Sequence, residues 1–378
     1  MIEAEIERIV SLIRDTHLED AEQELHSFKR NHPTHDVSYV EMILSAHQTH
    51  YQKAYDIGEH LLQIAGQDPL VRFYHARNSI AVGEWMKGLD LFDSVRGHHV
   101  FGGDLLTPYK PLWDGQDLRG KILLIACEGG IGDAVCFSRF TKQFAELGAK
   151  VILASYDGLF ELLRPLQGMN AQVDLSVAIK TDFDYWVPAL SCPRVLGIDY
   201  QNIDGSPYLT CPKDMKAKWQ SLVTSSRPKI GLCWQGNPNF KEDYVRSIPG
   251  ELFAPMVADT RYEFFKVQVN SENNSFTHPN LKDLTSSVGN PSDLAGFLSQ
   301  LDLFITVDSG MAHIAGALGV KTLLLNRVMG WFTFGHKPDH ENLQSTPWYN
   351  SMQILHQKRW GQWDETIARA IKSIPTLL

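Results

Sequence analysis

From residue 120 onward the chain alternates short apolar runs with helix-patterned stretches, and this alternation constrains its fold more than any other feature. The runs are Ile122–Ala126, Val151–Ala154, Tyr185–Val187, Ile230–Trp234, Glu263–Val267, Leu303–Val307 and Thr322–Leu325. They are too short for core helices and rich in branched and aromatic residues, as buried strands are. Strand, helix, strand repeated in this way closes into parallel sheets with helices on both faces. The stretch from about Cys211 to Arg227, ending in "SSRP", divides the alternation into two such sheets. A helix from Trp363 through Ile374, with Ile367, Ile371 and Ile374 on one face, closes the chain.

The first 95 residues hold no strand-like run. Ile6, Ile9, Val10 and Ile13 mark one helix face, and a second helix follows from Leu18 through Phe28. The segments "HLEDAEQELHSF", "HYQKAYDIGEHL" and "EWMKGLDLFDSV" then align with steps of 33 and 34 residues, each with a small residue at one place: Ala21, Ala54 and Gly88. That period, with a small residue where two helices cross, resembles tetratricopeptide repeats; a plain domain of three helical hairpins is the alternative. A Gly-, Pro- and His-rich linker, 96–119, separates this part from the sheets. The expected domains are therefore 1–97, 98–225 and 226–378.

The chain's 378 residues are 43% hydrophobic and 21% charged, which suits an ordinary globular protein with ample core. A net charge of −9 disfavours nucleic acid and anionic lipid as partners, without excluding a local basic groove. Five cysteines without a CxxC pair or zinc spacing, an N-terminus without an apolar h-region and no long apolar run lead us to expect a cytoplasmic protein without a membrane span.

Two strand ends carry the chemistry. In "KILLIACEGGIGDAVCFSRF" a buried strand runs into Gly129, Gly130 and Gly132, with Asp133 behind them. Glycines there let the backbone turn tightly and a ligand approach closely, and the following helix presents free N–H groups. A carboxylate at this corner repels phosphate, so Asp133 is aimed at a hydroxyl as base or acceptor; the plainer reading is an acid that offsets the helix dipole. The second corner, "LFITVDSGMAHIAGALGVKTLLL", is a complete βαβ unit. Ser309, Gly310, Met311 and Ala312 offer bare amides suited to a diphosphate, and His313 adds a protonated or donor imidazole, unless it is merely structural. Between the corners, Lys241, Arg246 and Ser247 follow the strand ending at Trp234, on a loop able to neutralise a leaving phosphate or simply to face solvent.

Taken together, "CEGGIGDAVCFSRF", "KIGLCWQGNPNFKEDYVRSIP" and "DLFITVDSGMAHIAGALG" resemble the glycosyltransferase family 9 (heptosyltransferase-like) domain. They resemble most the bacterial subgroup with N-terminal tetratricopeptide-type helices, as do "PLWDGQDLRGKILL", "PALSCPRVLGI" and "STPWYNSMQILHQ". The resemblance covers about residues 108 to 374. It implies an α/β GT-B fold, two Rossmann-like domains facing a cleft, behind an all-α domain. It further implies an inverting mechanism that needs no metal or cofactor, with a nucleotide-diphosphate sugar as donor substrate. By the same resemblance Asp133 is the general base, and Asp308, Ser309, Gly310 and His313 bind the donor diphosphate. Lys241 or Arg246 stabilises the leaving group, and Gln268 lies near the donor base or ribose. In that arrangement the two corners meet only when the cleft closes. The acceptor is left open: a protein, a glycan or another large molecule, and the helices equally suit self-association. The competing readings are an interaction protein with a decayed transferase domain and a dinucleotide-dependent oxidoreductase or epimerase. The latter draws on the loose GxGxxG character of the first corner and on Asp157 after the next strand.

Overall fold

The computed structural model describes residues 2–96, 109–240, 242–269 and 276–378. Six helices open it: α1 (Ile2–Arg14), α2 (Leu18–Asn31), α3 (Ser38–His47), α4 (Tyr51–Ala65), α5 (Pro69–Val82) and α6 (Trp85–Ser94). Local chemistry sets their ends. Asp68 caps α5 by accepting from the Leu70 amide at 2.8 Å, Pro69 fills its first turn, and Gly83 ends it at φ +102°. Ala21, Ala54 and Gly88, the small positions of the sequence period, are buried on the second helix of each pair. A Cβ on Gly88 would stand 2.5 Å from Ile80 Cγ1 and 2.8 Å from the Ala76 carbonyl, so α5 and α6 cross at a separation that requires glycine.

The first lobe is a four-stranded parallel sheet of β1 (Ile122–Ala126), β2 (Lys150–Ser155), β3 (Met169–Asp174) and β4 (Tyr185–Pro188), in the order β3-β2-β1-β4. The second has β5 (Lys229–Cys233), β6 (Glu263–Lys266), β7 (Leu281–Asp283), β8 (Leu303–Val307), β9 (Thr322–Asn326), β10 (Gln344–Ser345) and β11 (Met352–His356). Their order is β10-β11-β9-β8-β5-β6-β7, and only the β10–β11 pair is antiparallel. Two parallel-sheet lobes behind a helical region form the architecture expected. The seven apolar runs form seven of these strands. The other four, β3, β7, β10 and β11, went unforeseen.

The expected break at 97/98 lies outside the described residues, as does part of the 96–119 linker. Ahead of the expected break at 225/226, the helix Lys213–Leu222 packs on the second lobe: Trp219 stacks on Phe297 at 4.4 Å, and Lys218 pairs with Asp293 at 2.7 Å. The C-terminal helix, Asp364–Leu377, buries Ile367, Ala370 and Ile374 against the second sheet.

The helical array is seated on both lobes. On the first, Trp85 Nε1 donates to the Ile198 carbonyl at 3.0 Å, and Asp93 joins Arg96, Arg194 and Ser191. On the second, Trp360 Nε1 donates to the Ile13 carbonyl at 3.2 Å, and the Tyr244 hydroxyl to the Arg14 carbonyl at 2.9 Å. One apolar core runs from Ala76, Ile80 and Phe92 through Leu123 and Phe137 to Phe297 and Trp348, joining helices and lobes. Among the described residues no helix is long and apolar enough to cross a membrane.

Candidate functional site

The first corner forms as its glycines dictate. Gly129 sits at φ +75°, and a Cβ there would lie 2.5 Å from Asp133 Oδ2, so glycine supplies both the conformation and the room. The short helix Ile131–Phe137 follows, and the Gly130 amide donates to Asp133 Oδ2 at 2.9 Å. This bond folds the carboxyl back over the turn. Burial pushes the Asp133 carboxyl up to about 6 against the pull of the Gly130 amide. The Asp308 and Glu128 carboxylates raise it further, while the Trp331 indole, which lies outside strict hydrogen-bond geometry, favours the ionised form slightly.

The second corner is the start of the helix Gly310–Leu318, which follows β8 through Asp308 and Ser309. Asp308, Ser309, Ala312 and His313 are buried there, and Met311 packs on the core. His313 Nδ1 is bonded to the Tyr349 hydroxyl at 2.8 Å, and its ring stacks on Phe334 at 5.2 Å. Burial pushes the imidazole down to about 4, with the Asp308 carboxylate opposing and the Arg139 charge assisting. His313 is therefore neutral near pH 7, which corrects the expectation of a protonated ring. The reason is desolvation at a packed position, and what survives is the neutral ring, which donates through Nε2 in the tautomer whose Nδ1 accepts from the Tyr349 hydroxyl.

The two corners touch. A Cβ on Gly132 would stand 2.8 Å from His313 Cδ2 and 3.0 Å from Gly310 Cα. In this structure the lobes are thus closed on each other at the two corners, held by bonds between them. Arg139 of the first lobe donates to the Trp348 carbonyl at 2.7 Å and lies 4.6 Å from the Tyr349 ring centre. The Tyr208 and Leu209 amides both donate to the Ala317 carbonyl at 3.0 Å.

The expected leaving-group loop is arranged differently. Lys241 lies outside the described residues. Arg246 Nε is bonded to Asp243 at 2.7 Å, and its guanidinium stacks over Phe240 at 4.6 Å. Ser247 Oγ donates to Asp243 at 2.8 Å and accepts from the Gly236 amide at 3.1 Å. Asp243 orients both side chains, and its bond to Arg246 uses Nε, which leaves the Nη1 and Nη2 donors of that guanidinium for other partners. Gln268 is buried, and its amide oxygen accepts from the Gln235 and Trp234 amides at 2.8 and 3.2 Å, which fixes the end of β5.

Several residues at the site were missed in the sequence. Trp331 and Tyr349 reach it from irregular segments that show no period. Glu128 was visible beside the glycines; it is ion-paired with Arg96 and accepts from the Leu190 amide at 3.3 Å. Arg327 had a usable signal, a charge directly after a buried apolar strand.

No protein-family model matches the chain. Protein FlbA of Caulobacter vibrioides is 24% identical over 339 residues, covering 81% of this chain and 55% of FlbA, so the chain spans about half the length of that curated relative. Among solved structures, a glycosyl transferase family 9 protein from Veillonella parvula is similar over 70% of this chain and 92% of its own, at 13% identity and TM-score 0.48. The ADP-heptose LPS heptosyltransferase II of E. coli is similar over 68% of this chain and 98% of its own, at 14% identity and TM-score 0.47.

Proposed function

We propose that the chain is an inverting, metal-independent glycosyltransferase that moves a sugar from a nucleotide-diphosphate sugar to an acceptor hydroxyl. One observation carries the reading: Asp133 on one lobe lies one glycine away from the Ser309–His313 helix start on the other. A carboxyl near 6 is ionised at neutral pH and basic enough to take a hydroxyl proton. The acceptor oxygen bonds to the anomeric carbon, the bond from that carbon to the diphosphate oxygen breaks, and the proton passes to Asp133. The departing diphosphate takes up negative charge, which the Ser309, Gly310 and Met311 amides of the helix start and the neutral His313 donor meet, the Ala312 amide being bonded to the Ser309 carbonyl at 3.1 Å. Sequence motifs that resemble glycosyltransferase family 9 support the same assignment. In this reading the helical hairpins are tetratricopeptide-type, the protein works in the cytoplasm, and the array offers a surface to a large acceptor or to a second copy.

Mass spectrometry of the chain incubated with a panel of UDP-, GDP- and ADP-sugars tests the reading. Release of nucleotide diphosphate is expected from one of them. Absence of both binding and turnover across the panel would contradict it.

A further inference from the structure

Beside the two corners, where the second lobe meets the helical array, Arg327 and Arg77 form a buried cationic cluster. Arg327 follows β9 directly and is 2% exposed; Arg77, on α5 of the helical array, is 4% exposed. Glu242 stands between them, 2.7 Å from Arg327 Nη2 and 3.8 Å from Arg77 Nη1, and Arg77 Nη2 donates to the Met329 carbonyl. Among the described residues, Arg327 Nε, Arg327 Nη1 and Arg77 Nε have no hydrogen-bond partner.

Two guanidiniums on one carboxylate leave a positive charge and three donor nitrogens unanswered in a buried setting. Such groups are costly to bury unless an anion meets them. Asp308 is the other carboxylate whose field reaches Arg327, and among the described residues it is not ion-paired with either arginine. Topology says where Arg327 lies relative to the two corners. The last paired residues of β8 and β9 are Val307 and Leu325, so the two chains leave the sheet side by side, one into Asp308 and Ser309, the other into Asn326 and Arg327. Neighbouring strands lie about 4.8 Å apart, so the backbone that carries Arg327 leaves the sheet next to the one that opens the amide-rich helix. The Phe240 and Trp360 rings, 5.9 and 6.0 Å from its guanidinium, help wall the place.

We propose that Arg327 and Arg77 form a clamp for the donor's diphosphate, with Glu242 standing in for the anion until the donor displaces it. The inference rests on the transferase reading and deepens it: the helical array supplies a donor-binding side chain. Planar guanidinium forks suit a diphosphate, and this pair would act beside Arg246, whose Nε is bonded to Asp243.

Inorganic pyrophosphate is the probe, titrated by calorimetry and thermal shift into the full chain at constant ionic strength. The wild type is expected to bind it and gain stability. Arg327→Gln and Arg77→Gln are expected to weaken that affinity about tenfold, and Glu242→Gln, which removes the competing carboxylate, to tighten it about fivefold. An affinity within about twofold of wild type in Arg327→Gln overturns the clamp. Should the arginine variants fail to fold, Glu242→Gln decides alone, since unchanged or weaker binding there also overturns it. Sugar-nucleotide turnover with pyrophosphate affinity indifferent to Arg327 sinks the clamp and spares the enzyme. Pyrophosphate held through Arg327 in a chain that turns over no nucleotide sugar does the reverse.

Discussion

Asp133 and His313 stand on the two sides of the lobe contact with opposite perturbations, the acid pushed up to about 6 and the base down to about 4. Burial is the first cause of both, since each is held from its charged form. The proposed base works as the carboxylate, so turnover should rise with pH through about 6; a rate that is flat from pH 5 to 7.5 counts against Asp133 as base. Asp133→Asn is expected to abolish transfer while nucleotide affinity stays within a few-fold, and retained turnover in that variant removes the assignment. The stability signs follow from the shifts. A carboxyl whose folded value lies above 3.8 favours the protonated chain, so ionised Asp133 costs stability above about 6 and nothing well below 3.8. Melting curves should therefore place Asp133→Asn a few degrees above wild type at pH 8 and level with it near pH 4, if the protein stays folded there. For His313 the folded value is depressed, so stability is lost as pH falls from 6.5 toward 4. His313→Ala should mainly weaken nucleotide binding, read by thermal shift; unchanged affinity argues against its donor role.

At the scale of elements, the meeting of the Ile131–Phe137 and Gly310–Leu318 helices depends on the absence of a side chain at position 132. Gly132 has no positive φ, so alanine is conformationally acceptable there and its effect is steric alone. Gly132→Ala should prise the helices apart and lower turnover by at least about tenfold with circular dichroism unchanged. Wild-type turnover in that variant means the contact has no functional weight. Gly130→Ala, whose Cβ would find its nearest neighbour 3.7 Å away, should be milder. The strands show which elements a sequence discloses. β1, β8 and β9 are buried along nearly their whole length and announce themselves as apolar runs. β3 and β7 lie at sheet edges with half-exposed, polar-rich sequences, "MNAQVD" and "LKD", and leave no such trace. The glycine turn and the amide corner were legible because they need particular residue types. The commitment of Arg246 and Ser247 to Asp243 was not, since a charged loop reads the same whether its charges face a ligand or each other.

Across the whole molecule, the helical array and the two lobes share one apolar core, and ion pairs join the array to each lobe. Calorimetry should show a single transition with calorimetric and van't Hoff enthalpies in agreement; separate melting of the helices contradicts this shared core. Asp93 is the sharpest test of the junction, because it holds Arg96, Arg194 and Ser191 together. Asp93→Ala leaves the buried Arg96 with Glu128 as its remaining carboxylate and should cost about 3 kcal/mol in denaturant melts. By itself the sequence determined the two parallel sheets, the helical front and the two glycine-marked corners, since periodicity and residue type record which faces are buried and where the backbone must turn. It did not determine what buries those faces. Only the tertiary structure set Gly132 against His313, left that histidine neutral, and brought Arg77, Glu242 and Arg327 to one point. Those contacts join residues far apart in the chain, and their charge states follow from desolvation, a property of the packed molecule.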